Sequence, residues 1–538
     1  MKEDNTELTN LIATKVLIKY GKMKSDRQNW DSHWDEVSEY FVPGKDQALG
    51  QRSRGEKKQF SALYDTTSTH SLELLASALQ GMLTNPTSTW FGLSSGDRKT
   101  DRIQAVRDWL YDSTQRMIRV LNNSNFNTEV YEVYIDLAGL GTSMLRVSED
   151  DKTTVNFESR PIYEANIAED EKGLVDTVYF EYNMTLEQIV LKFGEGALMK
   201  IFGDNWEDSI KTSPLQRHKI LHAVEPRAKV KYTLSPLIPK NRAFCSYWIH
   251  IDSSSLLKES GYFENPYIVS RWSKYSGEVY GRSPAMKALA DAKMLNKMKK
   301  ATIEAAQLAV APAMQVPDDG VLLPIKTAPN SVNYFRAGSK DRIEPLNTGS
   351  NIQLSENFME SVRKQIKEAF FVDQLNLVES DRMTATEVLH RKEEQLRLLG
   401  PTLSRQHFEF LRPLIERVFG IMLRKKLFLP APPELAGKDL EVEYTSLIAK
   451  AQLATEGENL NRAIVLITPF AQTDPTVMDN FNPDEIVKFA ARIYGLSPDI
   501  MRDEKEVEEI RQGRAEAQQQ MEQQETQAHE ADVLSKVK

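Results

Sequence analysis

The chain has 538 residues, of which 41% are hydrophobic and 27% charged, and its formal net charge is −9. That length has room for roughly two to four domains with a sizeable core, and the balance of residue types is that of a soluble globular protein. Three possibilities drop out: the single cysteine, Cys245, precludes an intrachain disulfide; no apolar run reaches the roughly 18 residues of a membrane span; and the acidic start MKEDNTELTNLIATK lacks a signal peptide's apolar stretch.

Residues 1 to about 120 read as mostly helical. Leu11, Val16, Leu17, Tyr20 and Met23 give one amphipathic stretch, and Trp30, Trp34, Val37, Tyr40 and Phe41 the next, ended by Pro43-Gly44. After a polar loop, Leu63-Tyr64-Asp65-Thr66-Thr67 leads into a helix whose apolar face is Leu72, Leu75, Ala76, Leu79 and Met82. Residues 103–121 read as another amphipathic helix, 122–126 as a turn, and 130–140 as a helix broken by Gly139 and Gly141. Gly139-Leu140-Gly141 is a poor phosphate loop, because the third glycine and any G-x4-G-K-[S/T] are missing. Residues 143 to about 275 alternate strands, such as 143–147, 175–182, 244–251 and 267–272, with short helices. Met184 to Phe202 reads as helical, followed by a polar linker to Arg217.

The most informative stretch is Gly277 to Ala311. Gly281 permits a tight turn, Ser283 is a good N-cap, Pro284 suits the first helical position, and no Gly or Pro follows until Pro312. Met286, Leu289, Ala290, Met294, Leu295, Met298, Thr302, Ala305 and Ala309 can form an apolar band. Lys293, Lys297, Lys300, Glu304 and Gln307 form a polar stripe at spacings of three and four. Five prolines between Pro312 and Pro345 prevent continuation of the helix. Ser350-Asn351 then caps a second amphipathic helix with Ile352, Leu354, Phe358, Val362, Ile366, Ala369 and Phe370. The pattern is a helical hairpin with a compact, β-rich insert at its tip.

Beyond it, 374–383 breaks the periodicity, and Thr384-x-x-Glu387 is a capping box that starts a helix over 384–399. Gly400-Pro401 interrupts, 403–426 continues with a kink at Pro413, and Pro430 to Pro433 forms a hinge. Glu441 to Tyr444 reads as a strand, and 449–466 and 483–494 as helices. Past Ser497 the chain is polar, a solvated helix or disorder. The fold class is α+β, mainly helical.

Catalytic patterns are missing. There is no H-E-x-x-H, C-x-x-C or G-x-S-x-G, and the eight histidines, at 33, 70, 218, 222, 250, 390, 407 and 529, are scattered. His218 and His222 are four apart and would share a helix face, but no third ligand is evident, and surface positions are expected for them. The residues imply no enzyme, no cofactor and no metal. The net negative charge also argues against a tight DNA binder, whose affinity comes from neutralised phosphates.

Several of these segments resemble the head-to-tail connector (portal) proteins of short-tailed bacteriophages. The most specific is LYDTT…LASALQGMLTNPTSTWFGL, similar to that family's N-terminal wing signature. YGRSP at Tyr280–Pro284, NF…E…DL…G…L around Asn125–Leu140, and SDRMTATEVLHRKEEQLRLLGPTLSR extend the resemblance over about residues 10–510. It implies a portal-type fold with 1–283 as wing (helical, then α+β), 284–311 as first stem helix and 312–350 as clip. It likewise implies 351–373 as second stem helix, 374–383 as tunnel loop, 384–440 as long wing helix and hinge, 441–500 as helical crown and 501–538 as polar tail.

By that resemblance the subunits form a ring, twelve being usual, at one capsid vertex in the virion, after assembly in the host cytoplasm. The ring would serve as the channel for double-stranded DNA in packaging and ejection, with capsid, scaffolding, terminase and tail adaptor proteins as partners and no membrane. Lys293, Lys297, Lys300 and Glu304 would line the channel, and Val378, Glu379, Ser380, Asp381, Arg382 and Met383 its constriction. Val321, Tyr334, Phe335, Arg336 and Arg342 would belong to the docking surface of the clip. A ring of twelve would carry roughly −108 charges, a field that keeps DNA off the walls. On the residues alone the three lysines fit a subunit interface as well as a lumen. An oligomeric tail or adaptor protein without a channel role, and a nucleic-acid enzyme with a divergent site, remain the alternatives.

Overall fold

In the computed structural model the described residues are 2–43, 63–101, 103–203, 206–227, 238–316, 352–375, 398–435, 440–444, 459–469, 481–494 and 506–521, with isolated positions between 324 and 345 and at 437, 457 and 502. They fall into two compact units. The first holds 1–86 and 121–421, the second 87–120 and 422–538.

The first unit opens with α1 (Lys2–Phe41), a single helix where the sequence suggests two stretches. The two amphipathic patterns exist, but they face different surfaces. Ala13, Val16 and Tyr20 pack on one core, while Trp34 packs on another. Nothing between them breaks the helix, since Gly21 is tolerated in open space. Helix α2 (Thr67–Leu83) follows and buries Leu72, Leu75, Ala76, Leu79 and Leu83.

The second unit takes the next elements, β1 (Phe91–Ser94) and most of α3 (Gln104–Asn123). Its β1 pairs antiparallel with β12 (Glu441–Tyr444), Phe91 opposite Tyr444. The Trp109 indole N–H donates to the Leu429 carbonyl at 2.9 Å. Thus 87–120 joins the distal part of the chain, although it lies in the middle of the N-terminal third. Helices over 459–469, Pro483–Tyr494 and 506–521 complete the described residues of this unit, the last of them exposed along its length except at the half-buried Val507 and Ile510.

Back in the first unit, α4 (Phe126–Leu140) ends at Gly141, which takes a left-handed conformation with φ 79°. The strands β2 (Thr142–Asp150), β3 (Thr154–Arg160) and, later, β9 (Tyr267–Arg271) form a sheet in the order β3-β2-β9. A five-stranded antiparallel meander lies between them in sequence: β4 (Ala165–Glu169), β5 (Val175–Thr185), β6 (Arg217–Pro226), β7 (Phe244–His250) and β8 (Ser255–Tyr262).

The meander is covered on both faces, with period-two sorting of its side chains. Val178, Phe180, Tyr182, Ile220, Val224 and Trp248 face one core. Tyr179, Leu221, Ala223, Cys245, Tyr247 and Ile249 face the other, beneath the first half of α1.

Two expectations for this region change. Met184 to Phe202 is not one helix. Met184 and Thr185 end β5, and α5 (Leu186–Phe193) and α6 (Glu195–Phe202) are separated at Gly194, φ 81°. Thr185 starts α5 with a reciprocal capping box to Gln188. The linker to Arg217 contains a further helix, α7 (Trp206–Thr212).

The long hairpin follows. Helix α8 (Pro284–Val310) and helix α9 (Ile352–Ala369) pack side by side. The second ends at 369 rather than 373, and Phe371 turns out of it at φ 58°. Between them, β10 (Met314–Gln315) pairs with β11 (Glu344–Pro345) at the neck of the insert. Within 332–335 of this insert, expected to be β-rich, Phe335 alone makes a bridge.

The helix over 398–424 passes through Gly400-Pro401 without the expected interruption. Its irregularity lies instead at His407–Leu411, a π-helical turn in which the Arg412 N–H bonds to the His407 carbonyl. Pro413 explains the place: it has no N–H for the Glu409 carbonyl, so the ladder shifts by one residue just before it.

Candidate functional site

The hairpin α8–α9 and its insert are the elements for which the sequence suggested a role. Their placement begins at the turn before α8. The Ser283 Oγ accepts from the Met286 N–H at 3.0 Å, capping the helix, and donates to the Gly139 carbonyl at 2.7 Å. Gly281 and Gly141 meet backbone to backbone. A Cβ on Gly281 would come 2.2 Å from the Gly141 carbonyl oxygen, and one on Gly141 would come 2.4 Å from that of Gly281. Gly139-Leu140-Gly141 is therefore the seat of the α8 turn: Gly141 is needed for that approach, and Gly139 for the packing of Val42 and Leu72, 2.9 and 3.2 Å from a Cβ placed there.

A second seat is the Tyr64-Asp65 segment. Its Tyr64 N–H donates to Asn296 Oδ1 of α8 at 2.6 Å, and Arg363 of α9 donates to Asp65 Oδ2 at 2.9 and 3.1 Å. Thus the LYDTT motif grips both helices of the hairpin. Burial pushes the Asp65 carboxyl up, but hydrogen bonds from Thr67 and Arg363 outweigh it and hold the group below its ordinary value. Phe41 and Phe370 add a ring contact, centroids 5.5 Å apart.

The third seat is Arg271, 1% exposed, at the end of β9. Its guanidinium donates to Glu409 through Nε at 3.1 Å and Nη2 at 2.8 Å, and to the carbonyls of Val279 at 3.1 Å and Gly173 at 2.8 Å; Glu169 pairs with it as well. Glu409 lies in the π-helical turn. One side chain therefore fixes the strand, the β4–β5 turn, the approach to α8 and the helix over 398–424.

Between the helices, Thr302 Oγ1 lies 2.7 Å from Ser355 Oγ, and Lys299 Nζ lies 3.4 Å from Glu356. The expected apolar bands are only partly covered. Ala285, Ala288, Leu289, Ala292, Leu295 and Thr302 of α8 are buried, with Met359, Val362 and Ile366 of α9. Met294, Ile303, Leu308 and Val310, the last 87% exposed, point outward, as do Leu354 and Phe358. The hairpin of one subunit thus carries exposed apolar side chains on both helices.

The lysine stripe is placed as follows. Lys293 Nζ lies 2.7 Å from Glu36 of α1 in the same subunit, while Lys297, Lys300 and Glu304 are exposed. At the tip, Tyr334 is 68% exposed and Val332 is exposed too, with Phe335 half-buried. Val321, Arg336 and Arg342, and all of Val378, Glu379, Ser380, Asp381, Arg382 and Met383, lie outside the described residues.

The histidines correct the sequence reading. His218 and His222 are on a strand, β6, and both are buried rather than on the surface. His222 stacks on Trp248 at 3.9 Å between centroids and bonds to the Tyr267 hydroxyl at 2.7 Å and the Ser246 hydroxyl at 2.9 Å. It is a satisfied core histidine, neutral because burial lowers its pKa well below the ordinary value.

Sequence reasoning missed the roles of Asp65, Arg271 and Glu409. Asp65 stood within a recognised motif, but its partner is 298 positions away. Arg271 and Glu409 are 138 apart, with no local pattern to join them.

A long, capped helical hairpin seated on an α+β body, with apolar side chains exposed on both helices, defines a subunit built for assembly. The chain belongs to the family described as bacteriophage head to tail connecting protein, which matches over residues 13–501. It is similar to the probable portal protein of Bordetella phage BPP-1, at 32% identity over 512 residues that cover 94% of this chain and 91% of that protein. It is also similar to the portal protein of Salmonella phage epsilon15, at 29% identity over 93% of this chain and 91% of that protein. A solved structure, the neck of an empty GTA particle computed with C6 symmetry, aligns with 78% of this chain and 93% of that chain at a TM-score of 0.37 and 12% identity. The role is that of a phage portal: a structural, non-enzymatic ring component of the virion at the capsid vertex, where the head meets the tail. Among the described residues no helix is long and apolar enough to cross a membrane.

Proposed function

We propose that twelve copies close into a ring in the host cytoplasm, with capsid and scaffolding proteins, and that α8 and α9 of each copy form the wall of a channel for double-stranded DNA. The insert over 312–350 is the clip, which docks terminase during packaging and tail adaptor proteins afterwards. The segment 374–383 is the tunnel loop, and 441–500 the crown. The observation that carries this reading is the set of exposed apolar side chains on a hairpin seated firmly at its base. Among the described residues Met294, Ile303, Leu308 and Phe358 are exposed in the single subunit, and ring neighbours would cover them.

The lumen reading of the lysines follows from charge. On a chain of net charge −9, Lys297 and Lys300 give stacked basic rings, with Lys293 partly neutralised by Glu36. Such contacts guide DNA without holding it, because each is weak and screened over about 8 Å at physiological salt. The triple change Lys293→Gln, Lys297→Gln and Lys300→Gln tests it. Its cost to folding is small, since the exposed Lys293–Glu36 pair contributes about 0–1 kcal/mol. Intact rings with a several-fold loss of DNA retention or packaging are expected. Normal packaging from intact rings removes the lysines from DNA handling, and failure to form rings moves them to the subunit interface.

A further inference from the structure

We propose that His218, His250 and Asp252 form a binding site for a divalent transition-metal ion of the zinc type, at the end of the five-stranded sheet. The site is independent of the channel and rests on none of its residues.

The three side chains come from β6, β7 and the turn that leads to β8. Their ligand atoms all lie within 4.8 Å of one another. His218 Nδ1 and His250 Nε2 face each other at 3.2 Å. Two nitrogens bound at about 2.0–2.1 Å to one tetrahedral ion would be separated by ~3.3 Å, so little movement is needed. Asp252 is exposed and closes the site from the solvent side, leaving the fourth position to water. Two imidazoles and a carboxylate suit zinc and its neighbours, not the oxygen-seeking calcium or magnesium.

The second shell supports this assignment. The Ser255 hydroxyl donates to the Lys200 carbonyl at 2.9 Å, and the Ser253 hydroxyl donates to Ser255 Oγ at 3.0 Å. Ser253 Oγ is therefore free to accept, and His250 Nδ1 lies 2.7 Å from it. With an ion bound, His250 would carry its proton on Nδ1 and donate it to Ser253 Oγ, and its Nε2 lone pair would face the metal. Metal-binding histidines are held in this way, with the far nitrogen donating to an acceptor. The Ser253 backbone N–H, 3.1 Å from the same Nδ1, favours the opposite tautomer, and the ion selects between the two.

His218 has no competing task. Among the described residues its Nε2 is buried without a hydrogen-bond partner, and its Nδ1 meets His250. A bound ion would tie β6, β7 and the following turn together, next to the end of α6.

The test uses full-length, tag-free rings, treated with chelator, desalted and titrated with Zn2+ by calorimetry. Co2+ absorption reports the geometry. One Zn2+ per subunit with a micromolar or tighter dissociation constant, and tetrahedral Co2+ bands, are expected. Asp252→Asn should weaken binding by about tenfold or more, and His218→Gln should abolish it and the Co2+ bands, with ring mass unchanged. The proposal is overturned if the wild-type rings take up no Zn2+ at these concentrations, or if both variants bind as the wild type does. Should His218→Gln fail to assemble, the exposed Asp252→Asn decides alone.

Discussion

Replacing Glu409 with alanine should destabilise the first unit by about 3–5 kcal/mol, the range for removing one partner of a buried ion pair. The variant leaves Arg271, 1% exposed, without its two-bonded carboxylate. The same carboxylate accepts the Arg271 backbone N–H at 3.0 Å and Arg405 Nη1 at 2.9 Å, so four donors lose their acceptor together. The loss is large because the charge stays buried, with Glu169 as the carboxylate that remains beside it. Removing both partners should cost less, since an apolar pair of similar volume needs no compensation. Thermal unfolding should therefore rank the wild type highest, Arg271→Met with Glu409→Leu between, and Glu409→Ala lowest. An unshifted midpoint for Glu409→Ala would show that Arg271 does not hold the approach to α8.

The second large effect is expected at the hairpin tip. Replacing residues 321–343 with a short Gly-Ser loop keeps Glu344 and Pro345, and so keeps the β10–β11 pair that closes the neck. It also leaves every seat of the hairpin untouched, from Ser283 to Arg363. Rings should form with normal yield, because assembly depends on the helix faces. Packaging in a phage complemented with this variant should fall to background, because the exposed Val332 and Tyr334 leave with the loop. Packaging at the wild-type level would refute the docking role given to 312–350.

Much of this architecture could be read from local signals. Ser283-Pro284 gave the start of α8 and Pro312 its end to within two residues, because capping and the missing proline N–H act over a single turn. Strands β2, β5, β7 and β9 were visible in their apolar runs for the same reason. What was hidden depends on partners distant in sequence. Nothing local shows that β1 pairs with β12, or that the two halves of α1 serve two cores. The histidines on β6, set four apart as on a helix face, lie on a strand instead; α6 and β7 bury His218, and Trp248 and Tyr267 bury His222. Gly400-Pro401 misled for the opposite reason. A proline near Gly is a strong local stop, yet the helix tolerates it there and yields at Pro413. At the candidate site, the lysine stripe was legible as a face of α8, but the Glu36 partner of Lys293 lies 257 positions away.

Ring neighbours should cover the exposed apolar side chains of α8 and α9. Mass measurement of the purified full-length protein, by light scattering and by imaging of the same sample, tests it most directly. A closed ring with a central hole, at twelve times the 61.3 kDa subunit, is the predicted result. A stable monomer at micromolar concentration, with Met294, Leu308 and Phe358 still in water, would contradict it.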